Sequence, residues 1–367
     1  MIDAVVVGSG PNGLVAANLL ADRGWRILVL EAAGEPGGGA RSAELIEPGY
    51  VNDVCSAFYP LGVASPVLQA LDLASYGLRW RHAPAVLAHP ALDGSCPVLW
   101  RDLDVTCGSL ERNGAGDGAA WRALYEGWCR VGSPLLDSLL SPFPPLRAGA
   151  RLAAAIGSRQ WLQFSRFALL PIRRMTEEHF AGEAAKRLLA GMALHADLGP
   201  DAPMSGFFGW LMTSLGQQVG FPTVEGGASN LTRALVNRLV ARGGDVQCHQ
   251  RVASVVVRGG RAVAVRTEAG DEIDAPRAVI ADVAAPVLYA SLVGLALLPP
   301  GAVRALRGFQ WDHATVKVDW TLNGPIPWVL DEARLAGCVH LAEGMDDLTR
   351  ATSELATGTV PRRPFLI

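Results

Sequence analysis

Apolar residues run unbroken from Ala4 to Val7, as a short strand buried on both faces of a parallel sheet requires. After a glycine turn, Leu14, Val15, Asn18 and Leu19 recur at helical spacing, Ala16 and Ala17 keep one face thin, and Gly24 after Arg23 supplies a stop. Ile27 to Leu30 is a second apolar run of strand length. Strand, helix and strand within about 30 residues predict a βαβ unit with a right-handed crossover.

The pattern changes twice further along. Gly114 to Gly118 reads as a loop, and Trp121 to Leu215 is mostly helical, with Pro142, Pro144, Pro145 and Pro171 as breaks. From Val246 to Arg258 the alternation is that of one strand. Gly259-Gly260 turns, Ala262 to Thr267 returns, Gly270-Asp271 turns again, and Val279-Ile280 forms another buried strand. This predicts a β-meander feeding back onto the first sheet. The longest apolar stretch, Ala278 to Leu298, contains Asp282 and Pro286 and opens like a strand, which argues against a membrane-spanning helix.

Composition narrows the class. With 367 residues, 50% apolar and 18% charged, the chain is too hydrophobic to stay disordered and long enough for two domains. The net charge of −3 argues against nucleic acid as a partner and against a polybasic membrane anchor. The six scattered cysteines form no Cys-x-x-Cys pair, and the N-terminus shows no export signal, so a reduced, cytoplasmic protein is expected. Only Lys186 and Lys317 are lysines, and the rest of the cations are arginine, a bias that fits a GC-rich bacterial source.

The candidate chemistry sits at the N-terminal turn. Gly8-Ser9-Gly10-Pro11-Asn12-Gly13 spells G-x-G-x-x-G between the first strand and the first helix. Gly8 permits the turn, Gly10 admits a pyrophosphate to the backbone, Gly13 lets helix and strand pack, and the helix mouth around Pro11 and Asn12 offers unpaired amides to the phosphates. Glu31, at the end of the second strand, can accept hydrogen bonds from ribose hydroxyls and disfavours a 2′-phosphate. A second glycine loop, Gly37-Gly38-Gly39-Ala40-Arg41, brings flexible backbone and a guanidinium close to the same place. These features imply a bound dinucleotide without saying which.

Gly8, Gly10, Gly13, Glu31, Gly37, Gly38 and Arg41 resemble the FAD-binding positions of the flavoprotein superfamily of phytoene desaturases, monoamine oxidases and GDP-dissociation inhibitors. Glu47-Pro48-Gly49-Tyr50, Asp53, Pro60, Ser65-Pro66, Gly77-Leu78-Arg79-Trp80 and the stretch Pro222 to Gly227 resemble its phytoene-desaturase-like branch, over the whole chain. The resemblance implies FAD as cofactor and an α/β fold: a glutathione-reductase-like, Rossmann-type domain of parallel sheet and β-meander, with a helical and mixed substrate domain. It further implies that the backbone of Val252 lies by the adenine. The expected division is 1–85 and 220–296 for the FAD domain, and 86–219 and 297–367 for the substrate domain. Members of this family continue beyond the length seen here with a second glycine-rich segment that closes the flavin site. The end at Phe365-Leu366-Ile367, which reads as the opening of a buried strand, is therefore expected to mark a truncated form.

The resemblance also implies a reaction: oxidation of an apolar small molecule by hydride transfer to flavin, with oxygen, a quinone or another electron acceptor. An amine oxidase of the same fold and a non-catalytic dinucleotide-binding regulator are the alternatives. No catalytic residue is assigned, because flavin chemistry demands no protein acid or base. The middle aromatics, Trp161, Phe164, Phe167, Phe180, Phe207, Phe208 and Trp210, either line a lipophilic tunnel or form helix core. Arg166, Arg173 and Arg174 beside them leave room for a peripheral membrane contact that the overall charge does not favour. His195, His313 and His340 lack metal-ligand spacing, so no metal is expected, and no Gly-x-Ser-x-Gly or Walker lysine supports a hydrolase or nucleotidase.

Overall fold

The computed structural model describes residues 2–367. The chain divides into two compact units. One comprises the chain through Gly62, Pro66–Arg81 and Thr223–Thr321; the other comprises Val63–Ser65, His82–Pro222 and Leu322–Ile367. Residues 297–321, expected from sequence in the substrate domain, cluster with the first unit, where the short helix Pro300–Arg307 follows directly from the segment Val287–Leu297.

In the first unit, β1 (Ala4–Val7), α1 (Pro11–Ala21) and β2 (Ile27–Leu30) form the expected βαβ. Far along the chain come α2 (Ser229–Ala241), β3 (Asp245–Gln247), β4 (Val252–Arg258), β5 (Arg261–Thr267), β6 (Glu272–Asp274) and β7 (Ala278–Ala281). Four strands make a parallel sheet in the order β7-β1-β2-β3, with Ala4 opposite both Ile27 and Ala278. The strands β4, β5 and β6 form an antiparallel meander.

The two-residue period of β1 builds two cores from four residues. Ala4 and Val6 pack with Leu14 and Ala17 of α1 and with Leu231, Leu235 and Leu239 of α2. Val5 and Val7 point the other way and pack with Val252, Val255 and Val265 of the meander and with Leu292. Each buried valine or leucine contributes about 2 kcal/mol relative to exposure. Burial on both faces is why the run carries no polar residue.

The one long strand expected from Val246 to Arg258 is two strands in two sheets. His249 between them adopts φ +57°, a left-handed conformation that breaks the extended path, and β3 joins the parallel sheet while β4 opens the meander. The helix α1 ends where Gly24, at φ +78°, donates to the carbonyl of Ala21. Asn18, expected on the apolar face, is fully buried and satisfied: its amide donates to the carbonyls of Leu14 and Leu235, and its oxygen accepts from Arg238 at 3.1 Å. Arg238 also donates to the Leu71 carbonyl and to Asp22. Arg238→Met is expected to cost about 2 kcal/mol, because the buried Asn18 and Leu71 oxygens then lose their donors; urea denaturation followed by circular dichroism measures it.

The second unit is mainly helical, with a small sheet in which Ala336–Val339 runs parallel to Ala85–Ala88 and the latter runs antiparallel to Val98–Leu99. Asp102 caps the helix Leu103–Glu111 by accepting the amides of Asp104 and Val105. The next helix, Asp117–Leu139, begins inside the segment expected as loop. The buried Asp117 carboxylate accepts the amides of Ala181 and Gly182, which fixes that end. Breaks fall at the expected prolines, with Leu146–Ile156 starting after Pro145 and Ile172–His179 after Pro171. At the C-terminus no strand forms: Leu366 makes a single bridge to Leu341 and is half exposed.

Candidate functional site

The first unit contains a cleft of about 760 Å³ at the carboxyl ends of β1, β2 and β7. β2 follows β1 on one side of the sheet and β7 lies on the other, so the chain diverges at this point. That divergence opens a crevice, and crevices of this kind are where open α/β sheets hold their ligands.

Bare main chain forms its floor. At Gly8 the backbone takes φ +93°, which β-carbon-bearing residues rarely adopt. A β-carbon on Gly38 would lie 3.1 Å from the Gly10 Cα, so the two glycine loops touch through backbone alone. The Gly37 amide ties the loops together by donating to the Ser9 carbonyl at 3.0 Å. The first amides of α1 have no carbonyl one turn earlier in the helix, and the helix dipole makes its mouth favourable for anions.

Glu31 stands on one wall, half buried. Its carboxylate accepts the Ser9 amide at 2.9 Å, the Ser9 hydroxyl at 2.5 Å and the Ala33 amide at 2.8 Å. Burial pushes its pKa up, but the donors from Ala33 and Ser9 outweigh this and hold it below the usual carboxylate range. Glu31 is thus a fixed anion, and with three donors attached it retains lone-pair capacity for hydroxyl donors.

Of the residues singled out in the sequence, Gly8, Gly10, Pro11, Asn12, Glu31, Gly38 and Val252 line the cleft together. Gly13, Gly37 and Arg41 do not. Gly13 is buried against Gly8, Gly37 acts through Ser9, and the Arg41 Nε donates to the Gly38 carbonyl at 2.9 Å. Arg41 therefore braces the second loop from within rather than facing the cleft.

Sequence reading missed Asp282, which stands just past β7 and accepts the Gly13 amide at 2.9 Å through Oδ2. Its signal was available: an acid directly after an apolar run, in a chain whose first strand already ended at a phosphate turn. Ser9, a variable position of the glycine motif, also lines the cleft, as do Gln250, Arg251, Glu268 and Ser291, which no motif marked. Arg251 and Glu268 face each other at 3.6 Å on the meander side.

The residues present fit the adenosine-diphosphate half of FAD on structural grounds. A side chain on Gly38 would fill the space where the two loops meet, one on Gly10 would crowd the Asp282 carboxylate at the cleft, and a fixed carboxylate stands at the strand end where a ribose would lie. One amide of the helix mouth is already taken by Asp282, so the remaining main chain and the second glycine loop would hold the diphosphate.

The second unit holds a separate cavity of about 340 Å³ lined by Leu124, Arg130, Phe164, Phe167, His179 and Trp210 among others. Phe180, Phe207 and Trp210 are core, at 4%, 6% and 2% exposure, and the indole of Trp210 donates to the Leu124 carbonyl. Arg166 and Arg174 pair with Glu178, and Arg173 pairs with Asp201 and Asp346, so these arginines are engaged within the protein. His195 and His340 meet at 3.0 Å, Nε2 to Nε2, while His313 is exposed.

Comparison with known proteins agrees with this geometry. A family described as flavin containing amine oxidoreductase matches residues 12–340. Among relatives, pyridine nucleotide-disulfide oxidoreductase domain-containing protein 2 of Mus musculus is 28% identical over 352 residues, covering 86% of this chain and 59% of that protein. Hydroxyneurosporene desaturase of Rubrivivax gelatinosus is 28% identical over 281 residues, covering 75% of this chain and 52% of its own length. The chain thus spans less than two thirds of these relatives. Among solved structures, putrescine oxidase bound to putrescine superposes with a TM-score of 0.54 at 18% identity, covering 83% of this chain and 63% of that one, a likeness of fold. With most of its length matched, the chain belongs to the flavin containing amine oxidoreductase family.

Proposed function

We propose that this protein is an FAD-dependent oxidoreductase of the dehydrogenase or desaturase type that oxidises an apolar small molecule. The observation that carries the cofactor half of this reading is the side-chain-free contact between Gly10 and Gly38 at the mouth of α1, beside the fixed carboxylate of Glu31. In this reading Gly8, Gly10, Pro11, Asn12 and Gly38 cradle the diphosphate, Glu31 accepts from the ribose, and Val252 abuts the adenine. Gly13, Gly37 and Arg41 shape the two loops. The first unit is the cofactor domain and the second the substrate domain.

Held by Gly8, Gly10, Gly38 and Glu31, FAD would supply a two-electron acceptor for hydride from the substrate, with oxygen, a quinone or another compound as the final acceptor. This chain's own residues bind and orient the cofactor: Glu31, already ionised and held by Ser9 and Ala33, needs no reorganisation to accept hydroxyl donors. The desaturase reading of the substrate draws on the named desaturase relative; amine oxidation is favoured instead by the family description and by the likeness of fold to putrescine oxidase. The six cysteines are all free, which supports a reducing, cytoplasmic setting.

Titration of the folded protein with FAD, followed by quenching of flavin fluorescence, is expected to show saturable binding that ADP displaces. Failure of the folded chain to bind either compound overturns the cofactor assignment. Peroxide release across a panel of amines, against double-bond formation in apolar substrates, separates the two substrate readings.

A further inference from the structure

Between Asp137 and Glu177 lie 39 residues with six arginines and no carboxylate side chain, in a chain whose net charge is −3. The same stretch carries an unusual share of exposed apolar surface. Phe143 is 94% exposed, Leu162 82% and Leu146 76%, with Leu139, Trp161 and Leu169 at about half or more. The helix Leu146–Ile156 buries only Ala148 and Ile156, and Trp161–Leu169 buries no residue at all. Three arginines engaged with acids, Arg166, Arg173 and Arg174, lie at the far end of the stretch. Arg147 and Arg159 are exposed and form no ion pair among the described residues, and Arg151, also exposed, makes one ion pair with Asp137.

Exposed leucine, phenylalanine and tryptophan normally cost solubility unless something covers them. Arg147, Arg151 and Arg159, exposed among them and of which only Arg151 has an ion pair, select the cover: an anionic surface that accepts both apolar side chains and cations. No helix of the described residues is long and apolar enough to cross a membrane. The combination of apolar anchors, interfacial tryptophan and basic flanks is that of a segment lying in the headgroup layer. We propose that residues 139–169 dock the second unit onto an anionic lipid bilayer, with Phe143, Leu146 and Leu162 inserted and Arg147, Arg151 and Arg159 on the headgroups.

Co-sedimentation with vesicles tests this. The protein is expected to bind vesicles of phosphatidylglycerol and phosphatidylcholine, and to bind phosphatidylcholine alone far less. Neutralising an arginine near an anionic surface costs about five-fold in partition, so Arg147→Gln with Arg159→Gln should weaken binding about 25-fold. Phe143→Ser with Leu162→Ser should abolish it, with circular dichroism unchanged because neither side chain is part of the core. Equal binding to neutral vesicles, no binding to either, or binding indifferent to both double variants overturns the proposal. So does light scattering that shows a dimer broken by Phe143→Ser with Leu162→Ser, since the cover would then be a second copy.

Discussion

Gly13→Ala is expected to destabilise the first unit by about 3 kcal/mol and to eliminate flavin retention. A β-carbon at this position would lie 2.6 Å from the Gly8 carbonyl oxygen and 2.9 Å from the Asp282 Cβ. Neither partner can swing aside. The Gly8 oxygen is backbone at the end of β1, and Asp282 is anchored by its own amide on the Val7 carbonyl. Relief requires α1 to move off the sheet, which disturbs the packing of Leu14 and Ala17 on Ala4 and Val6. Gly10→Ala is the contrast. Its β-carbon would approach the Asp282 carboxylate, with Oδ2 at 2.5 Å, the end of a side chain that can turn away at the cost of its bond to the Gly13 amide, so the fold should survive. The added methyl nevertheless enters the floor of the cleft, and a larger group, as in Gly10→Val, fills it. Flavin content and urea midpoint measured together separate the cases: Gly13→Ala loses both, while Gly10→Val loses flavin and keeps its fold. Full flavin content in folded Gly10→Val places the cofactor elsewhere.

The site was legible where its parts are neighbours in sequence. β1, the glycine turn, α1 and β2 lie within 30 consecutive residues, so periodicity and turn chemistry specify them before any long-range contact is known. Glu31 was legible for the same reason, although its tight coupling to Ser9 was not, because no motif records which way a carboxylate turns. Asp282 lies 269 residues from Gly13, and only the pairing of β7 beside β1 brings them together. Arg41 carries a role that spacing does not show: a guanidinium next to a glycine loop suggests a ligand contact, and its Nε is given to the backbone carbonyl three residues earlier. In the second unit the alternation of helix and proline was readable, but which aromatics are core depends on helix pairing. The cluster of His89, His195 and His340 comes from three distant segments and leaves no trace in spacing.

That cluster sets a pH dependence that the carboxylates do not. His89 and His340 are fully buried, with ring centroids 5.9 Å apart, and His340 meets His195 at 3.0 Å. Among the described residues no acid compensates them: the Phe221 and Phe365 rings pack against His195 and His340, and the backbone of Gly191 lies under His340. Near His89 stands the buried cation Arg187, itself bound to Asp93, Ser95 and the Glu343 carbonyl. Burial, with Arg187 adding to it and the Ala342 carbonyl opposing, pushes His89 down to about 4. His340 lies well below its ordinary value, chiefly through burial and then through its two imidazole neighbours. The Nε2–Nε2 contact reinforces this, because one proton satisfies it and two would oppose each other. Above about pH 6.5 these rings are neutral in both the folded and unfolded chain and contribute nothing to the pH dependence. As pH falls below 6.5 the unfolded chain takes up protons that the folded one refuses, so stability declines, by about 3 kcal/mol at pH 4 from His89 alone. Carboxylates with lowered pKa, such as Asp201 and Glu178, lose their contribution at lower pH, so the interval from 6.5 to 5 reports on histidine. Urea midpoints followed by tryptophan fluorescence should fall across that interval in the wild-type protein, and the fall should flatten in His89→Leu and His340→Leu. A wild-type midpoint constant from pH 7.5 to 5, or variants that keep its slope, would show that the folded cluster accepts a proton at no cost.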